Sequence, residues 1–144
     1  MTEINKTLKS VYAGLKQMEN DLKIENWKSF ELDFSTDFQN KSQIIQKIKN
    51  QTGKNVGFYA IFKDEDCLYI GIGRPIWSRL KSHYYASQEK DKAKRWSDFF
   101  QKHKTNLKIY WKEFSCVDNP KIDDKTRLLI EAILTNEYEP EFEK

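Results

Sequence analysis

The chain has 144 residues, 33% of them charged and 14% aromatic, with a net charge of +3. That length suits one core rather than two well-stabilised ones, and the aromatic content separates the chain from disordered compositions. No apolar run approaches a membrane span and the polar start lacks a secretory pattern, so the expectation is a cytoplasmic protein with no membrane partner.

In chain order, Ile4, Leu8, Val11, Leu15, Met18 and Leu22 recur at spacings of four and three, which predicts an amphipathic helix over about 3–23. Such a stripe packs on the protein's own body or forms a homodimer seam. The segment NWKSFELDF alternates loosely and reads as an extended connection or an edge strand. Ile44, Ile45 and Ile48 mark a second helix, with Ser42 or Thr36 as candidate caps and Gly53 as its stop. Residues 1–53 are thus expected to form a helical extension packed on a domain spanning 54–144.

GFYAIF and CLYIGI, separated by KDED, read as a β-hairpin. Its register decides which side chains share a face. A four-residue loop pairs Phe62 with Cys67 and sends Tyr59 and Tyr69 to opposite faces, whereas a five-residue loop pairs Phe62 with Leu68 and brings both tyrosines to one face. Arg74-Pro75 then opens a helix over about 75–86, with proline at its first position. Ile76, Leu80 and Tyr84 form its apolar stripe, and Arg79 and His83, four apart, stack along one edge.

AKRWSDFFQKH predicts a basic helix burying Trp96, Phe99 and Phe100, and LKIYWKEF a further strand. Asp123 and Asp124 are candidate caps for a last helix in which apolar residues surround Glu131, with Arg127 placed to pair with it. The acidic tail EYEPEFEK is expected to loosen at its end. Cys67 and Cys116 lie far apart without a Cys/His cluster, which argues for core thiols and against a zinc site.

Charge is unevenly spread. Residues 74–112 carry eleven Lys/Arg against three acids, and 116–144 carry four bases against eight acids. A basic middle suits a polyanion. Arg74, Lys81, Lys90, Lys92, Lys94 and Arg95 are the candidate nucleic-acid contacts, although helix-surface cations are often only solvated.

Tyr59, Tyr69, Arg79, His83 and Glu131 together supply proton-transfer groups, a fixed cation and a hard oxygen ligand, the parts that phosphodiester hydrolysis requires. The ordered series GFY (57–59), YIG (69–71), Arg79, His83 and Glu131 over about 56–142 resembles the GIY-YIG nuclease superfamily. That resemblance implies an α+β fold with a small three-stranded antiparallel sheet flanked by helices, and the five-residue hairpin register. It implies a concave surface where Tyr59 is the general base or orients water and Tyr69 contacts phosphate. Arg79 would stabilise the phosphoryl charge, with His83 assisting and Glu131 holding one Mg²⁺ or Mn²⁺. Arg74 matches a basic position near the end of YIG. The implied activity is metal-dependent endonucleolytic cleavage of DNA, RNA being a further substrate class. Phe58 stands where isoleucine is usual, and Glu141, Phe142 and Glu143 follow Pro140 where many members carry asparagine. That last departure favours a second reading, a catalytically impaired nucleic-acid-binding adaptor or regulator.

Overall fold

The structure is a computed structural model that describes residues 22–89, 94–114 and 120–142. The helix expected over 3–23, Lys90, Lys92 and Cys116 therefore lie outside the described residues, apart from Leu22 and Lys23. The described chain is α+β. Its strands are β1 (Lys28–Leu32), β2 (Gly57–Lys63), β3 (Asp66–Gly73) and β4 (Leu107–Glu113), and its helices are α1 (Lys41–Thr52), α2 (Ile76–Ser87), α3 (Lys94–Lys102) and α4 (Pro120–Tyr138). No helix among the described residues is long and apolar enough to cross a membrane.

The strands form one antiparallel sheet in the order β1-β4-β2-β3. Where three strands are expected, the described residues hold four, because the loosely alternating NWKSFELDF segment pairs with β4. Phe30 sits opposite Ile109 and Leu32 opposite Leu107. Burying alternate residues on one face is enough to recruit so short an edge strand.

Each strand alternates between two cores, and the helices divide accordingly. On one face Phe30, Leu32, Tyr59, Ile61, Tyr69, Ile109 and Trp111 pack against residues of the first three helices, among them Ile44, Ile48, Ile76, Leu80, Tyr84 and Phe100. On the other, Phe58, Ala60, Cys67 and Ile70 pack against Ile24, Trp27 and the α4 residues Ile130 and Leu134. Cys67 is a buried free thiol, its pKa pushed up to about 12 chiefly by burial.

Helix boundaries follow local chemistry with some departures from the expected caps. Neither Thr36 nor Ser42 caps α1; a 3₁₀ turn over Phe38–Asn40 leads into it with no side-chain cap. Gly53 does end it, at φ 57°, and its N–H donates to Lys49 O. Pro75 lies just outside α2 with extended ψ, and the Ile76 N–H finds Asn55 O at 3.0 Å. The proline at a first helical position is instead Pro120, so α4 starts ahead of Asp123 and Asp124 rather than at them.

The hairpin resolves the register question in an unanticipated way. Lys63 faces Asp66 and Phe62 faces Cys67 across a two-residue tip in which Asp64 takes φ 55°, yet Ile61 faces Tyr69 and Tyr59 faces Gly71. Leu68 is the extra residue of a β-bulge between these registers. Near the turn the pairing is that of the shorter loop. Beyond the bulge it is that of the longer one, which brings Tyr59 and Tyr69 to the same face.

Candidate active site

Tyr59 and Tyr69 project from neighbouring strands towards the three-helix side, their rings near-parallel with centroids 5.9 Å apart. Gly71, opposite Tyr59, makes this arrangement sterically accessible. A Cβ there would stand 2.6 Å from the Tyr59 hydroxyl and 2.8 Å from the Tyr69 ring. The glycine of YIG is therefore the floor on which both tyrosines lie.

From α2, whose apolar residues Ile76, Leu80 and Tyr84 anchor it to the sheet, His83 enters the same space. Its Nε2 is 2.6 Å from the Tyr59 hydroxyl, and its ring lies 4.5 Å from that of Tyr69. Tyr59, Tyr69 and His83 are 0%, 1% and 0% exposed. Burial, reinforced by Tyr69 and only partly offset by the Arg79 guanidinium, raises the Tyr59 pKa well above 10. The phenol is thus protonated at neutral pH, and its hydroxyl shares a hydrogen bond with His83 Nε2.

Arg79, one turn before His83, is half-buried and is the member of the cluster with access to solvent. Its guanidinium sits 4.7 Å from the Trp96 ring, and Trp96 stacks on His83 at 4.3 Å. The guanidinium also reaches the Tyr59 and Tyr69 hydroxyls, so the partly exposed cation acts directly on the buried tyrosines. Phe100 closes over His83 at 4.5 Å, and Ser97 Oγ donates to Ala86 O, holding α3 to α2. Trp96 and Phe100 belong to the core, as the sequence places them, and there they pack directly on the cluster.

The tail supplies the remaining wall. Glu141 N–H donates to Cys67 O and Phe142 N–H to Leu68 O, so residues 141 and 142 pair with the outer edge of β3; the end expected to loosen, 143–144, lies outside the described residues. Phe142 turns in against Tyr69 at 5.4 Å and Phe99 at 5.1 Å, with the Arg95 guanidinium 5.2 Å from its ring. Nothing in the sequence pattern marks Phe142 beyond its occurrence after Pro140.

Glu131 lies on α4, whose Ile130 and Leu134 cover the opposite face of the sheet. It lines a groove of about 630 Å³ with Ile70, Leu128, Thr135, Glu139 and Phe142. Phe142 is the shared wall, touching Tyr69 on one side and bounding the Glu131 groove on the other. The structure therefore gathers Tyr59, Tyr69, Arg79 and His83, and sets Glu131 in an adjoining groove. By donor type the groove suits a hard cation, since carboxylate, hydroxyl and water oxygens are the ligands of Mg²⁺ or Mn²⁺. Among the described residues no three or more His, Cys, Asp or Glu cluster as a self-sufficient metal site. Any ion there takes most of its ligands from water and substrate. Arg127, one turn before Glu131 on α4, is buried and donates from Nη2 to Phe114 O at 3.0 Å.

The candidate nucleic-acid contacts are dispersed. Arg74 is exposed ahead of α2, Lys81 lies on the outer side of α2 over Trp77 and Tyr85, and Arg95 is exposed on α3 beside Phe142. Lys94 opens α3. Comparison of the chain with protein-family models, with curated proteins and with solved structures returns no match.

Proposed function

We propose that this protein is a metal-dependent endonuclease of GIY-YIG type that hydrolyses nucleic-acid phosphodiesters, DNA in the first instance. The observation that carries the reading is the Tyr59–His83 pair at 2.6 Å beside the half-buried Arg79. A hydroxyl with a waiting acceptor and an adjacent fixed cation are the two elements an in-line attack by water needs.

The protonation order follows from the buried phenol. As water attacks phosphorus, its proton passes to the Tyr59 oxygen while Tyr59 releases its own proton to His83 Nε2. Tyr59 is a relay and His83 the acceptor, so the residues exchange the roles expected from sequence. Arg79 meets the charge that develops on the non-bridging phosphoryl oxygens, and Tyr69 borders the same space. Glu131 is the residue that would hold Mg²⁺ or Mn²⁺, whose chemistry there is neutralisation of charge on the leaving oxygen. For Arg79 to meet a phosphate, the substrate lies along the Trp96 edge of the cluster.

The test is nicking of supercoiled plasmid, and cleavage of branched and single-stranded oligonucleotides, with Mg²⁺ or Mn²⁺. Wild type is expected to cut, and Arg79→Ala to lose about a hundred-fold or more, as removal of a transition-state donor does. Glu131→Gln is expected to abolish the metal dependence together with the activity. A second reading, a nucleic-acid-binding adaptor, is favoured by the near-zero exposure of Tyr59, Tyr69 and His83 beneath Trp96 and Phe142. Wild-type protein that binds DNA in a salt-sensitive way and never cuts it would establish that reading in place of the nuclease.

A further inference from the structure

Away from the tyrosine cluster, α1 and α2 pack side by side and together contain no aspartate or glutamate, although 22 of the 144 residues of the chain are acidic. They carry Lys41, Lys47, Lys49, Arg79 and Lys81 instead. Across their outer surface lysines and aromatic rings alternate. Lys49 Nζ lies 4.3 Å from the Trp77 ring, and Lys81 Nζ lies 5.5 Å from both Trp77 and Tyr85. Tyr85 meets Phe38 edge to face at 5.0 Å, and Lys41 Nζ lies 4.4 Å from the Phe38 ring. Trp77, Lys81, Tyr85 and Phe38 are each partly exposed, and Lys41 and Lys49 are exposed.

We propose that this face is a binding site for single-stranded nucleic acid, with unpaired bases stacking on Trp77, Tyr85 and Phe38 and phosphates held by Lys41, Lys49 and Lys81. The occupant follows from the combination of groups. Lysines alone would suit any polyanion, and partly buried rings alone would only seal the core. A ring whose open side is covered by a mobile ammonium offers that side to a base, the lysine swinging outward to a phosphate as the base arrives. Trp77 and Tyr85 are eight residues apart on one helix, about 12 Å along its axis, so successive rings meet successive parts of one strand rather than a single base. Paired bases in a duplex present no open π-face, which makes the site selective for unpaired strands. Arg79 stands two residues from both Trp77 and Lys81, about 200° around the helix, so this face is separate from the tyrosine cluster. The binding site itself does not depend on whether that cluster cuts.

The experiment measures binding with a metal chelator present, so that cleavage plays no part in the outcome. Fluorescence anisotropy is recorded for an oligothymidylate of roughly 16 nucleotides and for a duplex of equal length, at several salt concentrations. Wild type is expected to prefer the single strand. Trp77→Ala is expected to weaken single-strand binding about ten-fold or more while leaving duplex binding within two-fold, and Trp77→Phe to retain most of it. The exposed double variant Lys49→Ala/Lys81→Ala, which removes no buried ring, is expected to lower the magnitude of the salt slope by about 1.4. Single-strand binding unchanged in Trp77→Ala, an equal loss on the duplex, or an unchanged salt slope in the lysine variant would overturn the proposal. So would Trp77-dependent binding to phosphatidylserine vesicles without binding to oligothymidylate.

Discussion

The two faces of the sheet differ in kind although the same strands build both. Towards α4 the interior is mostly apolar, with Phe58, Ala60, Cys67, Ile70, Ile130 and Leu134; Arg127 is buried on that side and donates to Phe114 O, and Tyr138 OH contacts Ile24 N and the Glu25 carboxylate at the margin. Towards α1, α2 and α3 the interior holds Tyr59, Tyr69, Tyr84 and His83, with Tyr84 OH donating to Thr36 O and the Tyr59 hydroxyl 2.6 Å from His83 Nε2. An apolar filling would stabilise the second face at least as well, because hydrogen-bonded polar groups recover little beyond their desolvation cost. Polar groups concentrated on one face of an otherwise ordinary sheet point to chemistry on that face, and the contrast can be tested by perturbing each side.

The largest effect on stability is expected on the apolar face. Ile130→Ala removes a fully buried side chain from between α4 and the sheet. It should cost about 2–4 kcal/mol in chemical denaturation. If the faces are functionally separate, nucleic-acid binding per folded molecule stays unchanged. A variant that loses binding in proportion beyond its unfolded fraction would break the comparison.

On the polar face Gly71→Ala should cost about 1–3 kcal/mol through overpacking, because the new methyl meets both tyrosine rings and the opposing strand cannot withdraw from the sheet. Here the perturbation should reach function as well, by displacing the Tyr59 hydroxyl from His83. Denaturation and cleavage measured together distinguish this from Ile130→Ala.

How far these features are legible in sequence varies with their cause. Periodicity locates the helices, and the hairpin, Gly53 and the shared helix of Arg79 and His83 follow from turn chemistry and spacing. The common face of Tyr59 and Tyr69 does not follow, because it depends on the bulge at Leu68, and neither glycine nor proline marks that position. The fourth strand is faint because β1 is five residues long and only half of it is buried. Trp96 reads as a core aromatic, and only the fold reveals that it contacts both Arg79 and His83. Phe142 is less legible still, since its placement rests on two backbone bonds to the edge of β3 rather than on any side-chain pattern.

Titration gives a smaller, more selective probe of the polar face. Below pH 10 Tyr59 is protonated in both folded and unfolded chains, and its contribution is constant. Above pH 10 the unfolded chain releases that proton while the native state, with its raised pKa, keeps it. Stability therefore falls as pH rises, by about 1.4 kcal/mol per pH unit for one such proton. Tyr59→Phe should lose about 1 kcal/mol at neutral pH through the missing hydrogen bond and fall less steeply above pH 10. Tyr84 and Tyr138, also raised chiefly by burial, preserve part of the alkaline slope. An unchanged slope in Tyr59→Phe would mean that Tyr59 is not the group holding its proton.

The smallest global effect is expected at the boundary between the two faces. Phe142 is 7% exposed, yet it is held at the end of the chain by the backbone pairing of residues 141 and 142 and by contacts with Tyr69 and Phe99. Two backbone bonds to an edge strand open more readily than the central ladder, so Phe142→Ala should cost only about 1 kcal/mol of global stability, well short of a central phenylalanine. Its consequence for the site runs in the opposite direction. Removing the ring opens the wall between Tyr69 and the Glu131 groove, and cleavage by the folded protein should rise several-fold while exchange of the Leu68 and Tyr69 amides quickens. A fall in cleavage would instead make Phe142 part of the working surface, holding Tyr69 against His83. In that case Phe142 is a working wall of the site as well as the partition between Tyr69 and the Glu131 groove.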